Sequence, residues 1–259
     1  MTGLIVWRKC RCRDAHDCYQ RTRNARPYSY TPTLFIFADS NERDEISMFY
    51  SWLPFELEVF QWISGWASPF WDAFFVVITR MGNNAILFLA LGLLLFLNKR
   101  TRKIGMCVLA AIGLVVLINN IALKSIFGRP RPFLLEYEWW VDGFAFPGLI
   151  PFPSGLAFPS GHSAGAFAAA GAWLLGACRW HDSRALRITA ACSFVLAGLM
   201  AFSRMYLGVH YLSDIIVGSA VGIGCAFLAV LLLRLLEPLL DRFRFFRSSS
   251  CHMHIQNLK

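Results

Sequence analysis

The sequence predicts an all-α, polytopic membrane helical bundle of about six transmembrane helices, with both termini in the cytoplasm. Composition indicates the membrane class, because 56% of the 259 residues are hydrophobic and only 16% are charged, whereas a soluble domain has roughly 25% charged residues. The mean hydropathy of +0.48 agrees. The third observation is that long apolar runs alternate with basic segments along the chain.

Five apolar runs are candidates for membrane-spanning helices, since a bilayer core of about 30 Å needs roughly 17–25 helical residues. The second and fifth runs are long enough alone, and the others reach that length with flanking interfacial residues. A sixth candidate, 66–78, is short and contains Asp72, so we allow it to extend back into 52–65 and assign Asp72 no role. The five runs are 85–97, 104–123, 163–178, 188–202 and 215–233.

Two basic segments flank the predicted membrane domain, 48–240. Residues 1–47 are polar and arginine-rich and lack the apolar core of a signal peptide. We predict that they are disordered or not translated, with Met48 as the alternative start. Residues 241–259 form a basic cytoplasmic tail. No metal is predicted at the N-terminus, because the spacing of its potential ligands matches no zinc pattern; they are Cys10, Cys12, His16 and Cys18.

The net charge of +9 is a topology signal. With six spans, four basic segments fall on one side, and basic short loops mark the cytoplasmic side. We therefore predict no nucleic-acid partner. The segments are the N-terminus, the "KRTRK" run at 99–103, the arginines at 179, 184 and 187, and those at 242, 244 and 247.

The opposite side receives three motifs, the first of which is "KSIFGRPRP". Lys124 ends the third apolar run, and Arg129 and Arg131 follow, each before a proline. Proline stiffens the backbone on which each guanidinium stands, and a fixed guanidinium suits phosphate oxygens. Both arginines are therefore candidate phosphate ligands.

The second motif is "FPSGHS" at the start of the fourth run. Ser160 is predicted to cap a helix whose free N–H groups, beginning near Gly161, form an anion site. His162 lies in that first turn, where it can protonate a phosphate ester. An earlier copy of Phe-Pro-Ser-Gly, at 152–155, has no histidine and is interpreted as a turn in the outer loop.

The third motif is "SRMYLGVHYLSD", between the fifth and sixth spans. His210 and Asp214 are four residues apart, which predicts neighbours on one helical face. A carboxylate beside an imidazole fixes its tautomer and raises its basicity. Arg204 adds another cation for phosphate.

Together these motifs supply two histidines, one carboxylate and at least three cations, with no second acidic cluster to hold a metal. That set is typical of metal-independent phosphoryl transfer. One imidazole attacks phosphorus, the cations stabilise the phosphoryl oxygens, and the other imidazole protonates the leaving oxygen.

The three motifs resemble the signature of the type 2 phosphatidic acid phosphatase superfamily: Lys-x6-Arg-Pro, Pro-Ser-Gly-His and Ser-Arg-x5-His-x3-Asp. No signature residue is missing, and the resemblance covers roughly 72–236. It implies that His210 is the nucleophile, that Asp214 orients it, and that His162 is the general acid and then the base. It also implies five phosphate-binding residues and no cofactor; the five are Lys124, Arg131, Ser160, Gly161 and Arg204. Arg129 is not a signature position, and we interpret it as a cation on the outer surface.

The resemblance further implies a lipid phosphate or diphosphate substrate, bound at headgroup depth on the outer face of a bacterial cytoplasmic membrane. Small bacterial members of the family act on undecaprenyl diphosphate or phosphatidylglycerophosphate, and we favour the former from size and layout. The aromatic loop 133–158, which carries Glu136, Glu138 and Asp142, is the predicted substrate lid.

Three alternatives stay open. A vanadium haloperoxidase has the same type of pocket, but its family members are soluble. A lipid phosphotransferase has the same phosphohistidine step and differs only in the acceptor. A non-enzymatic lipid-binding or transport protein is expected to lack a catalytic residue, and this chain lacks none of them.

Overall fold

The computed structural model describes residues 53–82, 85–129, 131–132, 149–151, 153–181 and 183–243. The predictions about 1–47, Met48, the loop residues 133–148 and the chain after 243 lie outside these ranges. Within them the regular structure is entirely helical, which confirms the predicted all-α class. The helices are α1 Leu53–Ser64, α2 Pro69–Met81, α3 Ile86–Leu97, α4 Arg102–Phe127, α5 Gly161–Trp180, α6 Arg184–Tyr206 and α7 Leu212–Leu240.

Three of these helices, α4, α6 and α7, are long and apolar enough to cross a membrane. Helices α2 and α3, which meet at 48°, make a fourth candidate if they act as one bent span. Each of the two alone is about 20 Å long at 1.5 Å per residue, which is short of a 30 Å bilayer core. The count of six spans and the cytoplasmic termini stay predictions.

The uncertain first span divides into two helices. Helix α1 ends at Ser64, and α2 begins after Ser68, whose hydroxyl accepts a hydrogen bond from the N–H of Trp71 at 3.4 Å. Pro69 at the first helical position reinforces this start. An unbroken extension of 66–78 back into 52–65 is therefore wrong. Asp72, which received no role, accepts a hydrogen bond from the Tyr206 hydroxyl at 2.6 Å and ties α2 to α6.

Helix α5 lies at the centre of the bundle, packed against α4, α6 and α7. Its buried residues are almost all alanine and glycine. Small residues let helix backbones approach closely inside a membrane. At Gly222 of α7, a Cβ would lie 2.2 Å from the Ala164 carbonyl oxygen, so no larger residue fits. This approach sets the first turns of α5 and α7 side by side.

Helix α4 contains a wide π-helical segment, Val116–Leu123, directly before Lys124. Such segments occur frequently at functional sites. The segment carries Asn119, which is fully buried and donates from Nδ2 to the carbonyl oxygen of Pro159 at 3.4 Å. The contact ties α4 to the turn that precedes α5.

A polar cluster joins the helices at the end of the bundle where α4 begins and α5 and α7 end. Glu237 accepts hydrogen bonds from Lys103 at 2.8 Å, from Trp180 Nε1 at 2.9 Å and from Arg179 at 3.2 Å. Lys103 also pairs with Asp241 at 2.9 Å. The segments predicted to share one side of the membrane thus meet at one end. Which compartment this end faces stays a prediction.

Candidate active site

A cavity of about 580 Å³ lies at the other end of the bundle. Six of the eight residues predicted for the site line it, although they come from three helices and two loops. Ser160 and Asp214 lie fully buried beside it. The six lining residues are Lys124, Arg131, Gly161, His162, Arg204 and His210.

The Pro159–His162 turn begins α5 as the sequence predicts. Ser160 is the N-cap residue, and its hydroxyl oxygen accepts hydrogen bonds from the N–H and the hydroxyl of Ser163, at 3.5 and 3.1 Å. Because this oxygen serves the cap, direct phosphate binding by Ser160 stays a prediction. Gly161 follows beside Asn120, whose Oδ1 would lie 2.7 Å from a Cβ at that position.

His210 lies in the turn between α6 and α7, and each of its ring nitrogens contacts a charged side chain. Nδ1 is 3.3 Å from Asp214 Oδ2, and Nε2 is 3.4 Å from an Arg131 nitrogen. Since the carboxylate and the guanidinium can only accept and donate respectively, the tautomer that fits both has its proton on Nδ1. Nε2 then carries the lone pair toward the cavity. Burial, followed by the charges of Arg204, Arg131 and Lys124, lowers the pKa of His210 well below 6.5.

The expectation that His210 and Asp214 share one helical face is wrong in its geometry. Helix α7 begins at Leu212, so His210 precedes the helix and Asp214 is its third residue. They meet because Asp214 turns back over the helix start, where Oδ2 also accepts from the Tyr211 N–H at 2.9 Å. Its other oxygen, Oδ1, accepts from Arg129 at 2.8 Å. Both oxygens are therefore held while one of them contacts His210.

Arg129 is not the outer-surface cation that the sequence suggested. The residue is 6% exposed, and its guanidinium contacts Glu56 at 2.7 Å, the Ser213 hydroxyl at 2.6 Å and Asp214. It also lies 3.9 Å from the centre of the Tyr211 ring. Burial by itself lowers the pKa of Arg129, but the nearby Asp214 and Glu56 carboxylates outweigh that effect and raise it. Arg129 is thus a buried cation paired with two acids.

Arg131 is fixed by backbone carbonyl groups. Its Nε donates to Gly155 at 2.9 Å, and its two terminal nitrogens donate to Val209 at 3.1 Å and Ser154 at 3.4 Å. The first Phe-Pro-Ser-Gly copy therefore contributes carbonyl oxygens that hold this arginine. Gly155 adopts a φ of +85°, which favours glycine there. The turn at 153–155 thus has a structural role, which is to hold the Arg131 guanidinium.

Arg204 completes the cation set from the last turn of α6. The residue is 2% exposed, and one terminal nitrogen donates to the Thr79 hydroxyl. Its buried Nε has no hydrogen-bond partner within the described part of the chain. A buried donor without a partner costs free energy, so this nitrogen is available to an anion in the cavity.

Positive charge outweighs negative charge around the cavity. Lys124, Arg131 and Arg204 face it as cations, while the negative charge of Asp214 is opposed by Arg129 behind the cavity wall. Over the residues that the structure describes, no group of three or more His, Cys, Asp or Glu side chains could hold a metal ion. The cavity therefore presents a positive surface with two imidazoles, an arrangement that suits an anionic phosphate.

A family model described as "PAP2 superfamily" matches residues 104–237 and so includes all eight predicted site residues. The chain belongs to the PAP2 superfamily. Among solved structures, it is similar to Aquifex aeolicus LpxE, with 29% identity and a TM-score of 0.52, over 67% of this chain and 93% of that one. No curated protein matches the chain.

A second solved structure is a transmembrane PAP2-type phosphatidylglycerolphosphate phosphatase from Bacillus subtilis. It is 22% identical with a TM-score of 0.52, and the match covers 77% of this chain and 98% of that one, which shows a common fold. With the apolar helices described above, these findings make the chain a multi-pass membrane protein and a phosphatase of the PAP2 superfamily.

Sequence reasoning missed three polar residues around this PAP2 site. Glu56 lies in a segment treated only as a possible extension of a span. Asn119 and Asn120 lie within the apolar run 104–123. Polar residues inside a membrane segment are costly and commonly functional, so the pair of asparagines carried a signal that could have drawn attention to them.

Proposed function

We propose that this PAP2 protein hydrolyses a lipid phosphate or diphosphate through a phosphohistidine on His210, at the outer face of a bacterial cytoplasmic membrane. The observation that carries the proposal is the cavity itself. Cations and imidazoles line one end, whereas apolar side chains from α3 and α4 line the other. A headgroup phosphate and its hydrocarbon tail fit such a divided cavity.

The apolar end opens toward the lipid side of the bundle. Leu89 of α3 and Val116 of α4 both line it, and their exposed fractions are 38% and 46%. Gly113 of α4 also lines the cavity, with nothing within 4 Å of the position that its Cβ would take. A tail can therefore stay in contact with the bilayer while the phosphate reaches the cations. The other apolar side chains of α3 and α4 that line it are Phe88, Leu109, Ile112 and Val115.

In the first step, Nε2 of His210 attacks phosphorus. The N–P bond forms as the P–O bond to the leaving group breaks, and the electron pair of that bond goes to the leaving oxygen. His162 gives this oxygen a proton. Asp214 stabilises the positive charge that develops on the His210 ring, while Lys124 and the two arginines stabilise the phosphoryl oxygens.

In the second step, His162 acts as the base. It takes a proton from water, and the water oxygen attacks phosphorus. The N–P bond breaks, and its electron pair returns to Nε2 of His210. Phosphate leaves, and both imidazoles regain their starting protonation states.

We propose that the reaction needs no metal ion. The only carboxylate close to His210 in the described site is Asp214, and its two oxygens already accept from Arg129, the Tyr211 N–H and His210. The cations supply the charge stabilisation that a metal ion gives in other phosphatases. We expect EDTA to leave phosphate release unchanged and vanadate, as a phosphate mimic, to inhibit it.

The finer proposal is that the substrate is undecaprenyl diphosphate. Its support is the size and layout of the chain, together with three cavity-facing cations, which can balance the negative charge of a diphosphate. The phosphatidylglycerolphosphate phosphatase named above has the same fold and defines the competing headgroup, a monoester. Relative kcat/KM on the two lipids decides between them.

The test of the proposed function is phosphate release in detergent across a panel of lipid phosphates and diphosphates. His210→Ala is the blank and should lose turnover while keeping the apparent melting temperature of the wild type within a few degrees. Adding alcohols to the assay detects transfer in place of hydrolysis. Wild-type protein without phosphate release from any lipid, or EDTA inhibition reversed by a divalent ion, would overturn the mechanism.

A further inference from the structure

We propose that Glu56 is a positioning residue for this reaction: through Arg129 it holds Asp214, and thereby His210, in the arrangement needed for attack on phosphorus. The inference rests on the proposed function, because it concerns the same histidine. It adds a residue from α1, which lies outside residues 104–237 matched by the PAP2 family model. The active site would then depend on a helix that precedes the family match.

Glu56 is a buried carboxylate with contacts on both oxygens. The residue is 2% exposed. Oε2 accepts from Arg129 at 2.7 Å, and Oε1 accepts from the Ser213 N–H at 2.9 Å and from the Ser213 hydroxyl. Ser213 is the second residue of α7, where backbone N–H groups have no partner within the helix. Glu56 therefore caps α7 from another helix, with a charge that favours a helix N-terminus.

Arg129 connects this cap to Asp214. One terminal nitrogen donates to Asp214 Oδ1 at 2.8 Å and to the Ser213 hydroxyl at 2.6 Å, while the other contacts Glu56. Neither Glu56 nor Arg129 lines the cavity. Glu56 therefore does not contact the substrate phosphate, and the contacts that connect it to the reacting histidine run through Arg129 and Asp214 to His210.

The charges give the direction of this effect. Because Glu56 and Asp214 share one guanidinium, Asp214 keeps more of its negative charge for the His210 ring than it would if it faced Arg129 alone. Loss of the Glu56 charge therefore destabilises the positive ring that forms when His210 attacks phosphorus. Among the residues that the structure describes, the other charged or titratable groups facing His210 are Lys124 of α4, Arg131 of the following loop, His162 of α5 and Arg204 of α6.

The experiment compares four variants by kcat, KM and the pH dependence of kcat/KM for phosphate release from one lipid phosphate. They are Glu56→Gln, Arg129→Gln, the double variant, and Glu58→Gln as the matched control. Glu58 is an exposed acid on the same helix, so its substitution should change none of these quantities. Ionisation of the substrate is common to all variants, so a difference between their pH profiles comes from the enzyme.

We expect Glu56→Gln to lower kcat about 10- to 100-fold, the range known for the partners that orient metal-bound histidines, because Glu56 acts on the orientation of an imidazole in the same way. KM should change less than about twofold, since the phosphate contacts are intact. The acid limb of kcat/KM should move to lower pH in Glu56→Gln and to higher pH in Arg129→Gln. In the double variant the acid limb of kcat/KM should return toward its wild-type pH. The fold loss of kcat should be smaller than the product of the losses in the two single variants.

Three outcomes overturn the inference: wild-type kcat in Glu56→Gln, a lower kcat with an unmoved acid limb, or additive effects in the double variant. If Glu56→Gln does not fold because buried Arg129 keeps only one of its two acid partners, the double variant decides. In that case the inference is supported if the double variant has a lowered kcat and the acid limb of its kcat/KM profile lies where that of the wild type does. An unchanged kcat or a shifted acid limb in the double variant overturns the inference. Failure of the proposed function differs from these outcomes, because the wild type itself would release no phosphate.

Discussion

The backbone N–H of Ser160 donates a hydrogen bond to the backbone carbonyl of Asp214, with 2.9 Å between nitrogen and oxygen. This bond joins the first turn of α5 to the first turn of α7. His162 follows Ser160 by two residues, and His210 contacts the Asp214 side chain. The position of His162, the proposed general acid, relative to His210, the proposed nucleophile, is therefore fixed by the backbone as well as by side chains.

Gly218 tests the importance of this contact. A Cβ at Gly218 would lie 2.5 Å from the Ser160 carbonyl oxygen, so Gly218→Ala must push the two first turns apart. We expect a loss of about 1–3 kcal/mol in the free energy of unfolding. We also expect kcat to fall at least about tenfold, because displacement of reacting groups by an ångström can cost up to about 100-fold.

The matched control for Gly218→Ala is Gly224→Ala on the same helix. Gly224 has nothing within 4 Å of its Cβ position. Alanine is favoured over glycine in a helix by up to about 1 kcal/mol, so this variant should be as stable as the wild type or slightly more stable, with unchanged kcat. Equal melting temperatures and equal kcat for the two variants would contradict the prediction.

The two Phe-Pro-Ser-Gly copies make a second prediction. Ser160 caps α5 through its hydroxyl, whereas Ser154 contacts Arg131 through its carbonyl oxygen, which alanine keeps. Ser160→Ala should cost about 1 kcal/mol of stability through the lost cap and should lower kcat. Ser154→Ala should be far milder in both assays, and equal damage from the two substitutions would refute this reading of the repeat.

The sequence predicted much of the site because its residues occur in short, ordered motifs at the ends of apolar runs. The structure brings Lys124, Arg131, His162, Arg204 and His210 to one cavity. A helix start was also predictable at Ser160, since capping depends on local residue types. Features that depend on residues close together in the sequence could therefore largely be predicted without the structure.

The environment of Arg129 could not be predicted from the sequence, because its partners lie far away along the chain. An arginine after the end of a span looks the same in sequence whether it faces water or enters the bundle. Its burial becomes favourable only when carboxylates arrive from α1 and α7, and Glu56 lies 73 residues away along the chain. The contact between His210 and Asp214 was foreseen, but the backward turn of Asp214 over the start of α7 was not.

The lowered pKa of His210 makes a third prediction, about stability. The unfolded chain binds a proton at this imidazole near pH 6.5, whereas the folded protein does so only at much lower pH. The stability that depends on a neutral His210 is therefore complete above pH 6.5 and is lost as the pH falls below it. Between pH 7.5 and 5.5 this loss is up to about 1.4 kcal/mol.

His210→Gln removes this linkage, because glutamine does not titrate. We expect the difference in unfolding free energy between the wild type and His210→Gln to shift against the wild type as the pH falls from 7.5 to 5.5. The measurement is denaturant or thermal unfolding in one detergent at several pH values. A stability difference independent of pH over this range would mean that His210 takes up its proton equally readily in the folded state.

The apolar end of the cavity makes the last prediction, at Gly113. Because its Cβ position is open and the residue lines the cavity, Gly113→Trp should fill the groove between α3 and α4 and obstruct a substrate tail. We expect kcat/KM for a long-chain lipid phosphate to fall at least about tenfold, which corresponds to about 1.4 kcal/mol. For a short-chain, water-soluble phosphate kcat/KM should stay unchanged, because Lys124 and His210 are unaffected.

Gly224→Trp is the control, since Gly224 is an exposed glycine away from the cavity. Equal losses on both substrates would show that the tail does not use this groove.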